Sequence, residues 1–281
     1  MNELEWTGER LITSVESELK IEHLHRYGIA SFFTPEKIVL DIACGEGYGV
    51  DIIAGKAKYV YGVDISNEAI NHAKLKYKSS NIEFLTGSVT KIPLLDSSVD
   101  VVTSFETLEH LKDHNTMLTE IKRVLKSNGI LIISTPDKKT YSDDLGIKND
   151  FHVKELYHEE FKKLVSTHFS NYSFLHQRVL LASFIIPEKT NSGFIEFFGD
   201  YEAINQKINS IRSPLYTICI ASDTSENTVF PIPISVFNDS NLLNSLLCQA
   251  EDRYRNSFSY RLGHVILAPF KFLYRLFYNR S

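Results

Sequence analysis

The chain has 281 residues, 43% hydrophobic and 23% charged. At about 150 residues per domain that is one large domain or two small ones, and the balance excludes disordered and fibrous proteins. Thirty Lys and Arg against thirty-five Asp and Glu leave a net charge of −5, which speaks against a nucleic-acid binder, whose domains are strongly basic. Three cysteines (Cys44, Cys219, Cys248) make no Cys-x-x-Cys pair, so neither a disulfide framework nor a zinc knuckle is expected. The opening Met-Asn-Glu-Leu-Glu-Trp is acidic and has no apolar run, so no secretory signal is expected. Of the most apolar windows, Val179 to Ile186 is too short to span a bilayer, and Val265 to Tyr278 is broken by Pro269, Lys271 and Arg275. A reducing cytoplasm is the expected compartment.

Taken in chain order, the first thirty-odd residues read as helices lying over the open edge of a sheet. Lys37 to Ala43 is a short apolar run that stops at Gly45, Gly47 and Gly49, the pattern of a buried strand entering a tight turn. Tyr59 to Ile65 predicts a second strand, Asn67 to Lys78 a helix, Asn81 to Leu85 a third strand and Asp100 to Ser104 a fourth. Met117 to Leu125 predicts a helix and Gly129 to Thr135 a fifth strand, closed by Pro136. Phe161 to Thr167 reads as a helix, with further strands at Tyr172 to Gln177 and Pro214 to Ser222. Strands alternating with helices in this way form βαβ units and a parallel sheet covered on both faces. An insertion at 187–213 has no assignable structure. A Pro-punctuated linker follows Ser222, and helix-forming sequence runs from Asn241 to the end. The expected domains are a cap over 1–35, a catalytic domain over 36–222, and a linker with a helical tail over 223–281.

The turn Ala43-Cys44-Gly45-Glu46-Gly47-Tyr48-Gly49 follows Val39-Leu40-Asp41 directly. Glycines let the backbone pass close to a ligand, and the helix that follows offers free N–H groups. Asp64 ends the next strand, 23 residues after Asp41, where a carboxylate accepts hydrogen bonds from ribose hydroxyls.

After the fourth strand comes Ser104-Phe105-Glu106-Thr107-Leu108-Glu109-His110-Leu111. In a helical turn Glu106, Glu109 and His110 share one face, and two carboxylates with an imidazole suit Mg2+ or Mn2+. His152, just beyond the fifth strand, is the candidate fourth ligand, with His158 and His168 close behind it. The competing reading makes Glu106 and Glu109 a solvated helix face and His110 a packed core residue. Asp113 and His114 read as surface residues.

Leu40-Asp41-Ile42-Ala43-Cys44-Gly45-Glu46-Gly47 and Gly62-Val63-Asp64-Ile65-Ser66 resemble motifs I and II of class I S-adenosylmethionine-dependent methyltransferases, over roughly Pro35 to Ser222. The resemblance implies a Rossmann-like, doubly wound, mostly parallel seven-stranded sheet. By position it implies cofactor contacts from Asp41, Ala43, Gly45, Gly47, Asp64, Ile65, Ser88, Val89 and Phe105; many relatives carry Asp where Ser88 stands. The Glu-x-x-Glu-His string with a distal His resembles the metal site of methyltransferases acting on small-RNA 2′-hydroxyl ends and on catechol-like ubiquinone intermediates. That likeness implies metal ligation by Glu106, Glu109, His110 and His152, with His110 and His152 also placed for proton transfer.

Trp6-Thr7-Gly8-Glu9-Arg10, Glu22-His23-Leu24-His25-Arg26-Tyr27 and Phe151-His152-Val153-Lys154-Glu155-Leu156-Tyr157 resemble segments of methyltransferases of O-antigen and other surface-polysaccharide synthesis, enzymes that often stand beside or fused to glycosyltransferases. That implies a glycan, or a nucleotide- or lipid-linked sugar, as acceptor. Arg26 reads either as a contact to the cofactor carboxylate or as helix surface. The aromatic, basic stretch over 258–278 fits the inner face of an anionic membrane, or else a helix packed on its own domain or on a second subunit.

The expected activity is therefore O-methyl transfer from S-adenosylmethionine to a sugar hydroxyl, with a divalent metal holding the acceptor. The competing expectations are a metal-dependent small-molecule or RNA-end O-methyltransferase, and a non-catalytic cofactor-binding scaffold of a glycosyltransferase complex. No nucleic-acid partner is expected. The net charge is also unevenly spread: 253–281 carries +6 and no acid, which leaves −11 on 1–252.

Overall fold

The computed structural model describes residues 11–14, 18–180, 195–199, 204–208, 211–224, 235–237, 242–260 and 262. The chain divides into two compact units, one of residues 1–15 and 19–237, the other of residues 16–18 and 238–281. The segment expected to be catalytic, 36–222, lies within the first.

That unit is built on seven strands: β1 (Ile38–Ile42), β2 (Tyr59–Asp64), β3 (Ile82–Thr86), β4 (Val99–Phe105), β5 (Leu125–Pro136), β6 (Asn171–Gln177) and, after an insertion, β9 (Tyr216–Ser222). Their order is β3-β2-β1-β4-β5-β9-β6. β1 to β5 pair in parallel, and β9 runs antiparallel between β5 and β6. This is the Rossmann-like class I methyltransferase sheet, as expected.

Successive strand residues point to opposite faces, and here both faces are apolar. Val39, Val101, Ile130 and Ile132 join one buried cluster; Leu40, Ile42, Val102, Leu131 and Ile133 join the other. Such two-sided burial requires helices on both sides. α1 (Glu18–Ala30), α2 (Tyr48–Ala54) and α3 (Asn67–Lys76) cover the first face through Tyr27, Val50, Ile53, Ile70 and Ala73. α4 (His114–Val124) and α5 (His158–His168) cover the second through Met117, Leu118, Ile121, Phe161 and Val165.

Local chemistry sets the helix starts. Ser66 caps α3 by accepting from the Ala69 N–H at 3.2 Å, and Asp113 caps α4 by accepting from the Thr116 N–H at 3.1 Å. His114 departs from expectation: as the first residue of α4 it is 4% exposed, drawn in with the apolar stripe of that helix.

Part of the segment 187–213, unassigned from sequence, is a two-stranded antiparallel hairpin of β7 (Ile195–Gly199) and β8 (Ile204–Ile208). The second unit contains α6 (Leu242–Asn256). Among the described residues no helix is long and apolar enough to cross a membrane. The Trp6–Arg10 leader and the tail from 263 onward lie outside the described residues, as does the apolar window beyond Leu180.

The sheet order reverses between β1 and β4, since the chain moves outward to β2 and β3 and then returns to the other side of β1. Ligands of open α/β sheets bind at the carboxyl ends of the strands beside such a reversal.

Candidate functional site: a nucleotide turn beside a Glu-His-His cluster

The β1–α2 turn is shaped by backbone conformations that few side chains adopt. Ala43, Gly45 and Gly47 have φ of 62°, 52° and 91°. At Gly45 an added Cβ would meet nothing within 4 Å, whereas at Gly47 it would lie 2.8 Å from Phe84 Cε1 and 2.9 Å from Ala73 Cβ. Gly45 therefore leaves open space at the turn, and Gly47 lets α2 seat against β3 and α3.

Asp64 binds this turn to the end of β2. Its Oδ2 accepts from the Gly45 N–H at 2.9 Å and its Oδ1 from the Ser66 N–H at 2.8 Å. A carboxylate has about four lone-pair sites, and these two bonds fill two of them. The β3 loop arrives alongside, with the Gly87 N–H donating to the Asp64 carbonyl at 3.0 Å. Ser88 and Val89 thus reach the same edge, where Ile65 is 74% exposed. The Ser88 hydroxyl lies 2.8 Å from that of Thr90.

Asp41 lies beneath the turn, buried. The Thr103 hydroxyl donates to its Oδ1 at 2.6 Å and the Tyr27 hydroxyl to its Oδ2 at 3.0 Å. Burial pushes its carboxyl up from 3.8 to about 7 against these two bonds. Phe105 turns its ring into the core, edge-on to Tyr27 with centroids 5.0 Å apart.

The second group lies at the carboxyl ends of β4 and β5. The turn after β4 is a single 3-10 turn, Leu108–His110, preceded by Glu106 with φ of 51°. The helical turn expected over 106–110 does not form, and Glu106 leaves the shared face. Its Oε1 accepts from the Ser134 hydroxyl at 2.6 Å and lies 3.2 Å from Arg26 Nη1. Arg26 is buried, donating from Nε to Gln177 Oε1 at 2.7 Å and stacked 4.4 Å from the centre of the Tyr216 ring. It therefore faces Glu106 and the β6–β9 edge, and it is not helix surface.

One ligand atom each of Glu109, His110 and His152 lies within 4.8 Å of the others. Glu109 is 1% exposed; the Thr135 hydroxyl donates to its Oε2 at 3.1 Å, and its Oε1 has no hydrogen-bond partner. Burial, reinforced by the nearby Glu106, holds its carboxyl well above the usual range. His110 Nδ1 lies 2.9 Å from the Phe151 carbonyl and His152 Nδ1 2.5 Å from Glu155 Oε1. Both partners of the Nδ1 atoms are acceptors, so each Nδ1 donates, and in the neutral imidazole the lone pair then lies on Nε2. The His152 loop is bound to the 3-10 turn, because the Val153 and Lys154 N–H groups donate to the Glu109 carbonyl at 2.8 and 3.0 Å. His158 and His168 are elsewhere: His158 stacks near Phe174 and His176, and His168 lies 3.1 Å from Asn115 Oδ1.

Sequence reasoning missed Tyr27 and Thr103, which hold Asp41, and Thr135 and Glu155, which hold the cluster. Only Glu155 carried a local signal, three residues after His152 at the approach to a helix.

Among known proteins, a family model described as a methyltransferase domain matches residues 40–133. A "Probable S-adenosylmethionine-dependent methyltransferase" of Mycobacterium tuberculosis is 37% identical over 163 residues, 57% of this chain and 58% of that protein. The match thus spans under two thirds of that relative's length. The ubiquinone/menaquinone biosynthesis C-methyltransferase UbiE of Campylobacter jejuni is 26% identical over 183 residues, 62% of this chain and 76% of that protein. Among solved structures, the YcgJ protein of Bacillus subtilis superposes with a TM-score of 0.52 at 16% identity, covering 72% of this chain and all of that one. The PH0226 protein of Pyrococcus horikoshii gives 0.51 at 19% identity, covering 74% and 92%; both show the fold alone. The sheet order and these superpositions show the Rossmann-like fold of class I methyltransferases, and residues 40–133 within it are similar to the methyltransferase-domain model.

Proposed function

We propose that this protein transfers a methyl group from S-adenosylmethionine to a hydroxyl oxygen of a sugar, with a divalent cation held by Glu109, His110 and His152. The observation that carries the reading is the convergence of a glycine turn clasped by Asp64 with two oriented imidazoles and a buried carboxylate, all at the carboxyl edge of one sheet. The donor fits because the turn presents backbone N–H groups and open space beside an acidic residue with lone pairs to spare. The cation fits because both His Nδ1 atoms are committed and the Glu109 Oε1 has no partner. When bound, the cation lowers the pKa of an acceptor hydroxyl.

The remaining chemistry belongs to the chain. Asp64 and the Gly45 turn fix the ribose end of the donor, and the Ser88–Val89 loop borders the base. The His110 and His152 tautomers are set by the Phe151 carbonyl and by Glu155, so each Nε2 is a ligand position. The acceptor hydroxyl gives its proton to solvent water, its oxygen bonds the methyl carbon, the carbon–sulfur bond breaks with its electron pair returning to sulfur, and S-adenosylhomocysteine leaves. Alignment of oxygen, carbon and sulfur supplies much of the acceleration.

A sugar acceptor, lipid- or nucleotide-linked and passed on by glycosyltransferases, is supported by the likeness of the Glu22–Tyr27 and Phe151–Tyr157 segments to surface-polysaccharide methyltransferases. An RNA acceptor is disfavoured because residues 1–252 carry −11, which repels phosphate. The test is methyl transfer from labelled donor to purified lipid-linked or deacylated glycan, with and without EDTA, with the product resolved by mass spectrometry and linkage analysis. The expected product is a methyl ether whose formation chelator suppresses. A methyl group on carbon would overturn oxygen transfer, and donor binding with no transfer to any sugar would favour the scaffold.

A further inference from the structure

We infer that Glu109, His110 and His152 form a complete two-imidazole, one-carboxylate centre that takes a transition-metal dication of the zinc class in preference to Mg2+, with Glu106 standing outside it. The inference rests on the metal reading above and sharpens it, since the sequence pattern pointed to two carboxylates and a hard cation.

Glu106 is removed from the donor set by its own contacts. A φ of 51° at Glu106 turns the chain before the 3-10 turn begins. The carboxylate is then held by the Ser134 hydroxyl at 2.6 Å and faces the buried Arg26 guanidinium at 3.2 Å. Moving it to the cluster would leave a buried cation without its counter-charge, which is costly.

The remaining donors are two nitrogens and one oxygen. Mg2+ prefers oxygen in octahedral geometry and keeps several waters, whereas imidazole suits zinc and its neighbours. Three protein ligands with further positions open are the pattern of reactive zinc sites. The supporting shell is present for both histidines, a backbone carbonyl on one and a carboxylate on the other, and such partners fix the ring orientation of metal-bound imidazoles. Glu155 is itself held by a hydrogen bond from the Ser142 hydroxyl. The Glu109 Oε1, buried and without a hydrogen-bond partner, is the atom that a cation would satisfy, because buried polar atoms are rarely left unpaired.

The experiment is metal binding to the metal-stripped full-length protein, with Zn2+ measured by chelator competition and Mg2+ by calorimetry, on wild type, Glu106→Gln, Glu109→Gln and His152→Asn. Circular dichroism melts accompany each to confirm folding. One Zn2+ per chain is expected, weakened about 30-fold or more by Glu109→Gln and by His152→Asn, and changed less than about threefold by Glu106→Gln. Mg2+ at millimolar concentration is expected not to displace it. Equal losses from Glu106→Gln and Glu109→Gln, or saturable Mg2+ binding that competes with Zn2+, would establish a carboxylate-rich centre and overturn the inference. Zn2+ binding indifferent to His152→Asn would overturn it too. None of these readouts involves methyl transfer, so sugar methylation that persists under any of them separates this failure from failure of the proposed function.

Discussion

At the scale of single residues, Asp41 shows how the site depends on its solvent-free setting. Its two oxygens are each satisfied, by Thr103 at 2.6 Å and Tyr27 at 3.0 Å, yet burial still moves the carboxyl from 3.8 to about 7. A carboxyl raised in the folded state keeps a proton that the unfolded chain has already released, so stability falls as pH rises through that window. From pH 5 to pH 8 the cofactor-free protein should lose ~3 kcal/mol through this group, read as a lower urea midpoint at pH 8. Asp41→Asn should flatten that part of the slope; an unchanged slope would mean that the carboxyl is ionised throughout. Arg26 offers a second residue-scale prediction. Arg26→Met strands Glu106 beside a buried apolar patch and should cost ~3 kcal/mol in chemical denaturation, with Arg26→Met/Glu106→Met recovering most of it.

At the scale of elements, the β1–α2 turn joins two requirements that separate substitutions can tell apart. Gly47→Ala places a Cβ 2.8 Å from Phe84 Cε1 and 2.9 Å from Ala73 Cβ at a φ of 91°. It should destabilise the fold by ~2–4 kcal/mol, seen as a lower melting temperature. Gly45→Ala meets no atom within 4 Å and has only its φ of 52° to bear, about 1 kcal/mol. Its methyl enters the open space at the turn, so it should weaken S-adenosylmethionine binding by about tenfold or more in calorimetry while the protein melts nearly normally. Equal melting losses from both variants would refute this division of labour.

At the scale of the whole chain, charge and contacts divide at similar places. Residues 253–281 carry +6, and the second unit takes in 238–281, so the acidic part is the part that holds the sheet and both site clusters. A chain ended after Phe237 should keep its donor affinity within about twofold and its far-UV spectrum, because the residues that clasp the cofactor turn and the cluster lie in 1–237. A large loss of affinity in that variant would place a necessary contact in the second unit.

The strands, the glycine turn and the ribose-edge acid were legible in the sequence because each is a local pattern: an apolar run, a run of glycines, an acid at a strand end. Periodicity also recovered α3, α4 and α5 to within a few residues, since an amphipathic stripe needs only its own helix to be seen. Three things depended on contacts between distant segments. His152 enters the cluster ahead of His158 because the Glu109 carbonyl binds the backbone N–H groups of Val153 and Lys154. Arg26 reaches Gln177 across 151 residues of sequence. Glu106, spaced like a helical neighbour of Glu109, is carried off that face by a positive φ and by Arg26 and Ser134. Spacing along the chain names the residue types that a site can draw on; which of them converge is set by long-range packing and by competition among buried charges.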